Sequence, residues 1–184
     1  MLQAAFRDLH GARLHGFTLL VALGDRSAAA NAAADALADG VQRLAKLRHP
    51  ERAAAWLRGH VTRTLVRGRR RPGDTDAERR RALGALGVTD AAFDGLATLT
   101  VRERAAFVAA TIEHLDPIDV ETVIGGNAGS VHRVVDSARR SYLATAARGV
   151  AADGSPRTAD GATFGLLATR IEAVASRTGL GAGP

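Results

Sequence analysis

Apolar residues recur every three or four positions along most of the chain, and this spacing predicts helices rather than strands. The first predicted helix runs from about Leu2 to Leu23, and Gly24 ends it. Either Asp25 or Ser27 begins a second, alanine-rich helix. Its predicted inner positions are Ala30, Ala33, Ala34, Leu37, Val41 and Leu44. Because β-branched runs are absent as well, the pattern predicts an all-α fold.

A third predicted helix begins at Pro50 and ends in a run rich in arginine and glycine. Its inner positions are Trp56, Leu57, Val61 and Leu65. We expect the three helices to form an N-terminal domain, residues 1–71. Residues 72–88 have almost no apolar stripe, so we expect a flexible linker with room for a helical piece at Ala77–Leu86. Few contacts should cross this linker, which predicts two separate helical lobes.

Residues 89–147 predict a second small domain of four helices. Thr89 can cap the first of them, and Thr100 with Glu103 matches the capping box that opens the second. The residues predicted to face inward from these two helices are Phe93, Leu96, Phe107, Val108, Ile112 and Leu115. The first half of the domain therefore has its own apolar face.

The last two helices of this domain have the pattern of a helix-turn-helix. Asp116 can cap the first, Pro117 fits its first position, and Gly125 with Gly126 ends it. The inner residues are Ile118, Val120, Val123 and Ile124, then Val131, Val134, Val135, Ala138 and Tyr142. The opposite face of the second helix carries His132, Arg133, Asp136, Arg139 and Arg140. Such a unit reads DNA in many proteins, but it is also a common packing unit of helical bundles.

Residues 148–184 predict a flexible tail with one amphipathic helix. That helix is outlined by Phe164, Leu167, Ile171 and Val174. The apolar run Phe17–Leu23 continues the periodicity of the first helix, so we interpret it as part of a core helix rather than a signal peptide. No stretch approaches the length of a membrane span, and the chain has no cysteine, so we expect a cytoplasmic protein without membrane partners.

Composition places the chain among globular proteins and indicates an anionic partner. Of its 184 residues 46% are hydrophobic and 24% charged, which is enough apolar content for a packed core. The formal net charge is +6, and nearly all basic residues are arginine, with one lysine at Lys46. Such a charge favours nucleic acid as a partner. A genome rich in G and C also encodes much arginine and alanine, so the basic composition alone is weak support for a nucleic-acid partner.

The sequence gives little reason to expect enzymatic chemistry. Six histidines, at positions 10, 15, 49, 60, 114 and 132, show no metal-binding spacing, so we expect no metal site and no cofactor. Asp116 and Asp119 could act as paired carboxylates, but both fall in the first turn of a helix, where capping explains them. Gly125 and Gly126 lack the strand and the lysine of a phosphate-binding loop. We therefore expect a binding protein and not an enzyme.

The order and spacing of these segments resemble the extracytoplasmic-function sigma factors of bacterial RNA polymerase. The stretch LGDRSAAANAAADAL is similar to the family's helix that grips the polymerase clamp. The stretch LRHPERAAAWLRGHVTRTLVRGRRR is similar to its promoter-melting helix, with Trp56 and Leu57 on the hallmark tryptophan–leucine pair. The stretch LTVRERAAFVAATIEHLDPIDVETVIGGNAGSVHRVVDSARRSYL is similar to its domain that reads the upstream promoter element. Together the similar segments cover roughly residues 1–146.

This resemblance implies a transcription initiation factor that binds promoter DNA and core RNA polymerase, with an anti-sigma protein as a further candidate partner. It implies DNA contacts at Arg63, Arg67, Arg69, Arg70 and Arg71, and in the recognition helix at Asn127, Gly129, Ser130, His132, Arg133, Arg139 and Arg140. It implies polymerase contacts at Asn31, Ala34, Asp35, Leu37 and Val41.

Departures from the family's pattern predict weak binding to polymerase. The clamp helix of the family usually carries an acidic pair, then a glutamine and an aromatic residue. The corresponding positions here are Ala30, Asn31, Ala34 and Leu37. In the melting helix, Arg63 and Arg67 replace a polar asparagine and aspartate. The alternative is therefore a degenerate sigma-like regulatory or protein-interaction module, with weak or no polymerase binding.

Overall fold

The structure is a computed structural model that describes residues 2–43, 49–68 and 73–146. Every regular element within those ranges is helical, which confirms the predicted all-α class. The helices are α1 (Leu2–Val21), α2 (Arg26–Arg43), α3 (Ala53–Arg67), α4 (Asp76–Gly84), α5 (Asp90–Ala97), α6 (Val101–Phe107), α7 (Pro117–Ile124) and α8 (Ala128–Ala146). A short 3-10 turn, Pro50–Arg52, leads into α3, and α6 continues into a π-helical turn, Val108–Ile112. None of the described helices is long and apolar enough to cross a membrane.

The predicted helix starts of the second half are confirmed by their side-chain caps. The Thr89 hydroxyl accepts a hydrogen bond from the amide of Ala92 at 3.3 Å. Thr100 and Glu103 form the reciprocal capping box, and the Asp116 carboxylate accepts from the amide of Asp119 at 2.9 Å. These local signals are readable in sequence because each cap satisfies an amide only three residues away.

The end of α1 is formed by two left-handed residues rather than by glycine alone. Leu23 has φ 52° and Gly24 has φ 78°, and the Gly24 amide donates to the Leu19 carbonyl at 2.9 Å. This is the hydrogen-bond pattern of a Schellman motif. A Cβ atom on Gly24 would overlap the backbone of Arg79, so the glycine also lets α4 approach closely.

The prediction of a flexible linker over residues 72–88 is wrong for residues 73–88, which the structure describes as ordered chain packed on the rest of the molecule. Helix α4 is opened by a capping box of Thr75 and Glu78. Its buried face, with the turn after it, consists of Ala82, Leu83, Leu86 and Val88. The Arg79 guanidinium lies 3.2 Å from the Asp25 carboxylate at the start of α2. The helical piece predicted at Ala77–Leu86 corresponds to α4, Asp76–Gly84. The sequence did not predict its packing, because four small or medium apolar residues are too few to mark a buried face.

The described residues also do not form the two separate lobes that the sequence predicts. One hydrophobic core runs through all of them and includes Leu57 and Val61 of α3 together with Val120 and Val123 of α7. Helix α3 packs directly against α7, and α1 packs against α6. Periodicity marks the apolar face of each helix, but it does not say which helix covers that face. The boundary expected between residues 1–71 and 89–147 is therefore a packed interface.

Three inner positions predicted for α2 and α7 are wrong. The alanines at 30 and 34 are exposed, and so is Ile118, at 55%. The residues that α2 buries are Ala29, Ala32, Ala33, Ala36 and Gly40. Because alanine occupies both faces of α2, its apolar pattern fits more than one rotation of the helix. Ile118 is in the first turn of α7. The positions predicted at Leu44 and in the tail 148–184 fall outside the described residues.

Candidate nucleic-acid interface

Helix α8 turns one charged face outward, and we call this face the α8 surface. Its residues are His132, Arg133, Asp136, Arg139 and Arg140, and all five are exposed. The opposite face buries Val131, Ala138 and Tyr142, while Val134 and Val135 are half-buried against the core. The predicted division of α8 into an apolar and a charged face is therefore confirmed. The structure brings the predicted recognition-helix arginines together on one side of one helix.

Packing of Tyr142 fixes the rotation of α8. Its ring stacks on Phe107 with centroids 4.6 Å apart and planes inclined by 28°. Gly95 of α5 lies against the same ring, and a Cβ atom added to this glycine would come within 2.7 Å of a ring carbon. Burial raises the pKa of the Tyr142 hydroxyl to about 12, so the phenol stays neutral in the core. A fixed rotation is what keeps the charged face of α8 pointing outward.

The turn between α7 and α8 is held by glycines and by an arginine that sequence reasoning missed. Gly125 has φ 67° and Gly126 has φ 132°, values that glycine adopts at little cost. The Arg102 guanidinium donates to the carbonyls of Ile124 at 3.1 Å and Gly125 at 2.6 Å. Arginine near the end of a helix satisfies carbonyls that have no partner in the helix itself. No local pattern points to Arg102, because its partners are more than twenty residues away.

The predicted contacts at the start of α8 are partly used within the protein. The Asn127 side-chain oxygen accepts from the amide of Ser130 at 3.0 Å, and the Ser130 hydroxyl accepts from the amide of Asn127 at 3.1 Å. These two polar side chains therefore cap each other. Gly129 is exposed at the same end of the helix, so backbone amides are the groups left there for an anion.

Charge on the α8 surface is basic at both ends and nearly neutral in the middle. His132 Nε2 and Asp136 Oδ2 are 3.1 Å apart, one helical turn along the same face. Arg133 and Arg140 donate weakly back to the carbonyls of Gly129 and Asp136, at 3.2 and 3.4 Å. Such exposed bonds to helix carbonyls break readily in favour of a phosphate oxygen, because a charge-assisted bond to an anion is stronger. The surface can therefore bind a phosphate backbone.

Of the arginines predicted to contact DNA from α3 and the run after it, the structure describes two. Arg63 and Arg67 are exposed on α3, whereas Arg69, Arg70 and Arg71 lie outside the described residues. Trp56 of the same helix is half-buried, with its ring 5.8 Å from that of His60. The inner face of α3 is buried, and its members are Ala53, Ala55, Leu57, Arg58, Gly59, Val61 and Thr62. The structure therefore leaves Arg63 and Arg67 available and covers the middle of the helix.

The predicted polymerase-contact residues divide into two groups. Asn31, Ala34 and Asp35 are exposed on the outer side of α2. Leu37 and Val41 are half-buried and pack against the core, so only part of each side chain is available to a partner. Within this set Asp35 alone carries a charge.

The described residues hold no cluster of histidine, aspartate and glutamate side chains that would bind a metal ion. Among the described residues, the candidate binding surfaces are the α8 surface, the exposed Arg63 and Arg67 of α3, and the outer side of α2. Comparison of the chain with protein families, with curated proteins and with solved structures found no match.

Proposed function

We propose that the protein is a DNA-binding transcription initiation factor of the sigma type, which directs RNA polymerase to promoters. One observation carries the DNA-binding part of the proposal. Helix α8 comes after α7 and a turn of three residues, and it presents Arg133, Arg139 and Arg140 on its exposed face. A helix in this arrangement lies in the major groove in helix-turn-helix proteins, with its first residues nearest the bases.

The dimensions of α8 fit this role. A rise of about 1.5 Å per residue places Arg133 and Arg140 about 10 Å apart along the helix, so the two cations can reach different phosphates. His132 and Arg133 lie in the first turns, where a recognition helix meets base edges. Asp136 neutralises the centre of the surface, and Val134 is half-buried there. We therefore propose binding mainly through phosphates, with little discrimination among bases.

The decisive variant replaces Arg133, Arg139 and Arg140 with alanine. Binding of a labelled duplex, measured by fluorescence anisotropy, should weaken strongly at low salt. The slope of log affinity against log salt should flatten by about 0.9 for each arginine–phosphate interaction that the variant removes. Arg133→Ala alone should reduce any sequence preference, whereas Arg139→Ala and Arg140→Ala should weaken all duplexes alike.

A charge-matched variant is the control for this experiment. Arg7, Arg26 and Arg81 are exposed on α1, α2 and α4, so replacing them with alanine also removes three positive charges. Both triple variants lower the formal net charge from +6 to +3. Loss of duplex binding in the α8 variant but not in this control supports a specific DNA-binding surface. Equal affinities in the two variants would mean that the α8 arginines only form a polar, water-exposed helix face and do not bind DNA.

The second candidate function is a sigma-like regulatory or interaction module with weak or no binding to polymerase. The outer side of α2 favours it, because Asp35 is the one charged residue in the set that would meet the polymerase clamp. Each missing charged contact removes about 1.5–3 kcal/mol of binding free energy. The covered middle of α3 favours the same candidate.

Restoring the missing side chains separates the two candidates. Ala30→Glu with Ala34→Gln adds polar groups at two exposed positions of α2, so the fold should not change. We expect weak binding of the natural chain to core polymerase in a pull-down, and binding at least about tenfold tighter in the double variant. Detectable binding of the natural chain that tightens in the double variant supports the initiation factor, whereas no binding by either protein supports the interaction module. Nanomolar binding of the natural chain would contradict the expected loss of clamp contacts.

A further inference from the structure

Helices α3 and α7 meet at a contact that leaves no space for a side chain. An added Cβ on Gly59 would lie 2.5 Å from the carbonyl oxygen of Thr122. At the edge of the same contact, Arg52 Nε lies 3.3 Å from Asp119 Oδ1. Helix α7 therefore covers the part of α3 around Gly59, which the resemblance places in the promoter-melting helix.

A two-pronged ion pair joins α3 to the segment that leads into α7. Arg58 Nε and Nη2 donate to the two carboxylate oxygens of Glu113, at 2.5 and 2.7 Å. The side chains are 7% and 17% exposed, so water reaches neither freely. The remaining guanidinium nitrogen of Arg58 donates to the Ala54 carbonyl at 3.0 Å, and the guanidinium lies 5.5 Å from the centre of the Phe17 ring. All three nitrogens of the arginine are thus engaged.

The backbone around Glu113 is unusual on both sides. The preceding turn, Val108–Ile112, is π-helical, and the Glu113 amide donates to the Val108 carbonyl at 3.0 Å. The next residue, His114, has φ 53°, which is uncommon for a residue with a side chain. A π turn inserts one residue into a helix, rotates the residues after it, and occurs often at functional sites. Here it precedes the residue whose carboxylate meets Arg58.

We infer that the Arg58–Glu113 pair is a latch that holds a closed arrangement in which α7 covers α3, and that the protein opens at this contact before α3 engages DNA or polymerase. The inference rests on the proposed function, because a melting helix needs the side around Gly59, which α7 covers, free for DNA or polymerase. When a buried pair separates, both charges regain hydration, which offsets much of the lost attraction. The same helices also contribute apolar residues to the core, so the ion pair shifts the balance between the closed and open arrangements and does not hold the contact alone. The α8 surface is exposed in the closed arrangement, so duplex binding does not require opening.

Spin labels measure the opening directly. The chain contains no cysteine, so Val66→Cys and Ile118→Cys introduce a single pair of labelling sites. These side chains are 56% and 55% exposed, and one lies on each of the two helices. Arg52, near the start of α3, pairs with Asp119, so the rise along α3 places the labels about 20 Å apart, within range of pulsed electron paramagnetic resonance.

The latch variant is Glu113→Gln, which keeps the size of the side chain and removes its charge. We expect the open fraction in the distance distribution to rise about tenfold. Glu113→Asp keeps the charge but shortens its reach, and should give an intermediate result. The control is Asp94→Asn, which breaks the ion pair that Asp94 forms with Arg80 at 2.6 Å on the surface. Distance distributions that are identical in the natural chain, both Glu113 variants and the control would overturn the latch.

A cross-linked form tests the consequence of opening. Arg52→Cys and Asp119→Cys, joined by a short bis-maleimide, hold α3 and α7 together. The linked protein should bind duplex DNA as the unlinked protein does, but bind DNA with an unpaired bubble about tenfold more weakly. Equal bubble binding by linked and unlinked protein would overturn the inference while leaving duplex binding by α8 intact. If neither DNA is bound, the proposed function fails, and the spin-label distances alone decide whether the latch exists.

Discussion

Replacing Arg104 with methionine is expected to lower the free energy of unfolding by about 3–5 kcal/mol. The side chain is only 6% exposed, and its guanidinium serves two helix ends. It donates to the Val21 carbonyl at the end of α1 at 2.9 Å, and to the Leu96 and Leu99 carbonyls at and after the end of α5 at 3.0 and 2.6 Å. The Leu96 carbonyl keeps the Thr98 and Leu99 amides as donors. The Val21 and Leu99 carbonyls lose the donor that Arg104 supplies, at a cost of about 1–3 kcal/mol each, and water can replace only part of the loss. The positive charge also faces the negative ends of the helix dipoles.

Chemical denaturation by urea, followed by circular dichroism, measures the change. The matched control is Arg102→Met, because Arg102 also donates to two helix-end carbonyls but is exposed. Water can take over its hydrogen bonds, so the control should lose about 1 kcal/mol or less. Arg104→Lys should fall between the two, since one ammonium cannot span the three carbonyls. Equal midpoints for Arg104→Met and Arg102→Met would show that burial of this arginine contributes nothing to stability.

Arg104 also marks the limit of what the sequence could predict. The caps at Thr89, Thr100 and Asp116 were predicted correctly, because each acts over three residues and leaves a local pattern. The partner of Arg104 on α1, Val21, is 83 residues away along the chain. No periodicity links such positions. The helices could therefore be predicted, whereas the interface that joins them into one body could not.

The candidate site was likewise predictable from the sequence only in part. The exposed arginines of α8 were predictable, since Val131, Ala138 and Tyr142 define the buried face and leave the other face to solvent. The mutual capping of Asn127 and Ser130 was not predicted, although it uses residues three apart. The resemblance assigns these two residues to DNA, and an asparagine–serine pair is a less common form of the capping box than a pair that ends in glutamate or glutamine.

The α2 helix shows a different limit. Alanine gives strong helix propensity, so the existence of α2 was clear from the sequence. The same composition hides its rotation, because an alanine fits a buried or an exposed position equally well. Gly40 decides the question in the structure, since an added Cβ would meet Phe6 at 3.0 Å and Leu57 at 3.1 Å. A glycine within a helix was the one available sign of this close approach.

Two glycine-to-alanine variants are expected to change stability in opposite directions. Gly11 lies within α1 with nothing within 4 Å of an added Cβ, so Gly11→Ala should stabilise the protein by about 1 kcal/mol through helix propensity alone. Gly95→Ala gains the same propensity, but its Cβ would lie 2.7 and 2.8 Å from two ring carbons of Tyr142. Overpacking of this kind costs about 1–3 kcal/mol, so the net change should be destabilising.

A double-mutant cycle with Tyr142→Leu identifies the cause of the loss. Leucine removes the ring that the new methyl group would strike, but the carbonyl oxygen of residue 142 stays 3.2 Å from the added Cβ. Because this tight contact offsets the gain in helix propensity, Gly95→Ala should become nearly neutral in the Tyr142→Leu background. The coupling free energy measured by urea denaturation should be about 1–2 kcal/mol. Because the ring also fixes the rotation of α8 against Phe107, Gly95→Ala should weaken duplex binding while Gly11→Ala leaves it unchanged. If Gly95→Ala loses the same stability in the Tyr142→Leu background, the contact with Tyr142 is not the source of the loss. The rotation of α8 would then depend on the other buried residues of that helix, Val131, Ala138 and Ala146.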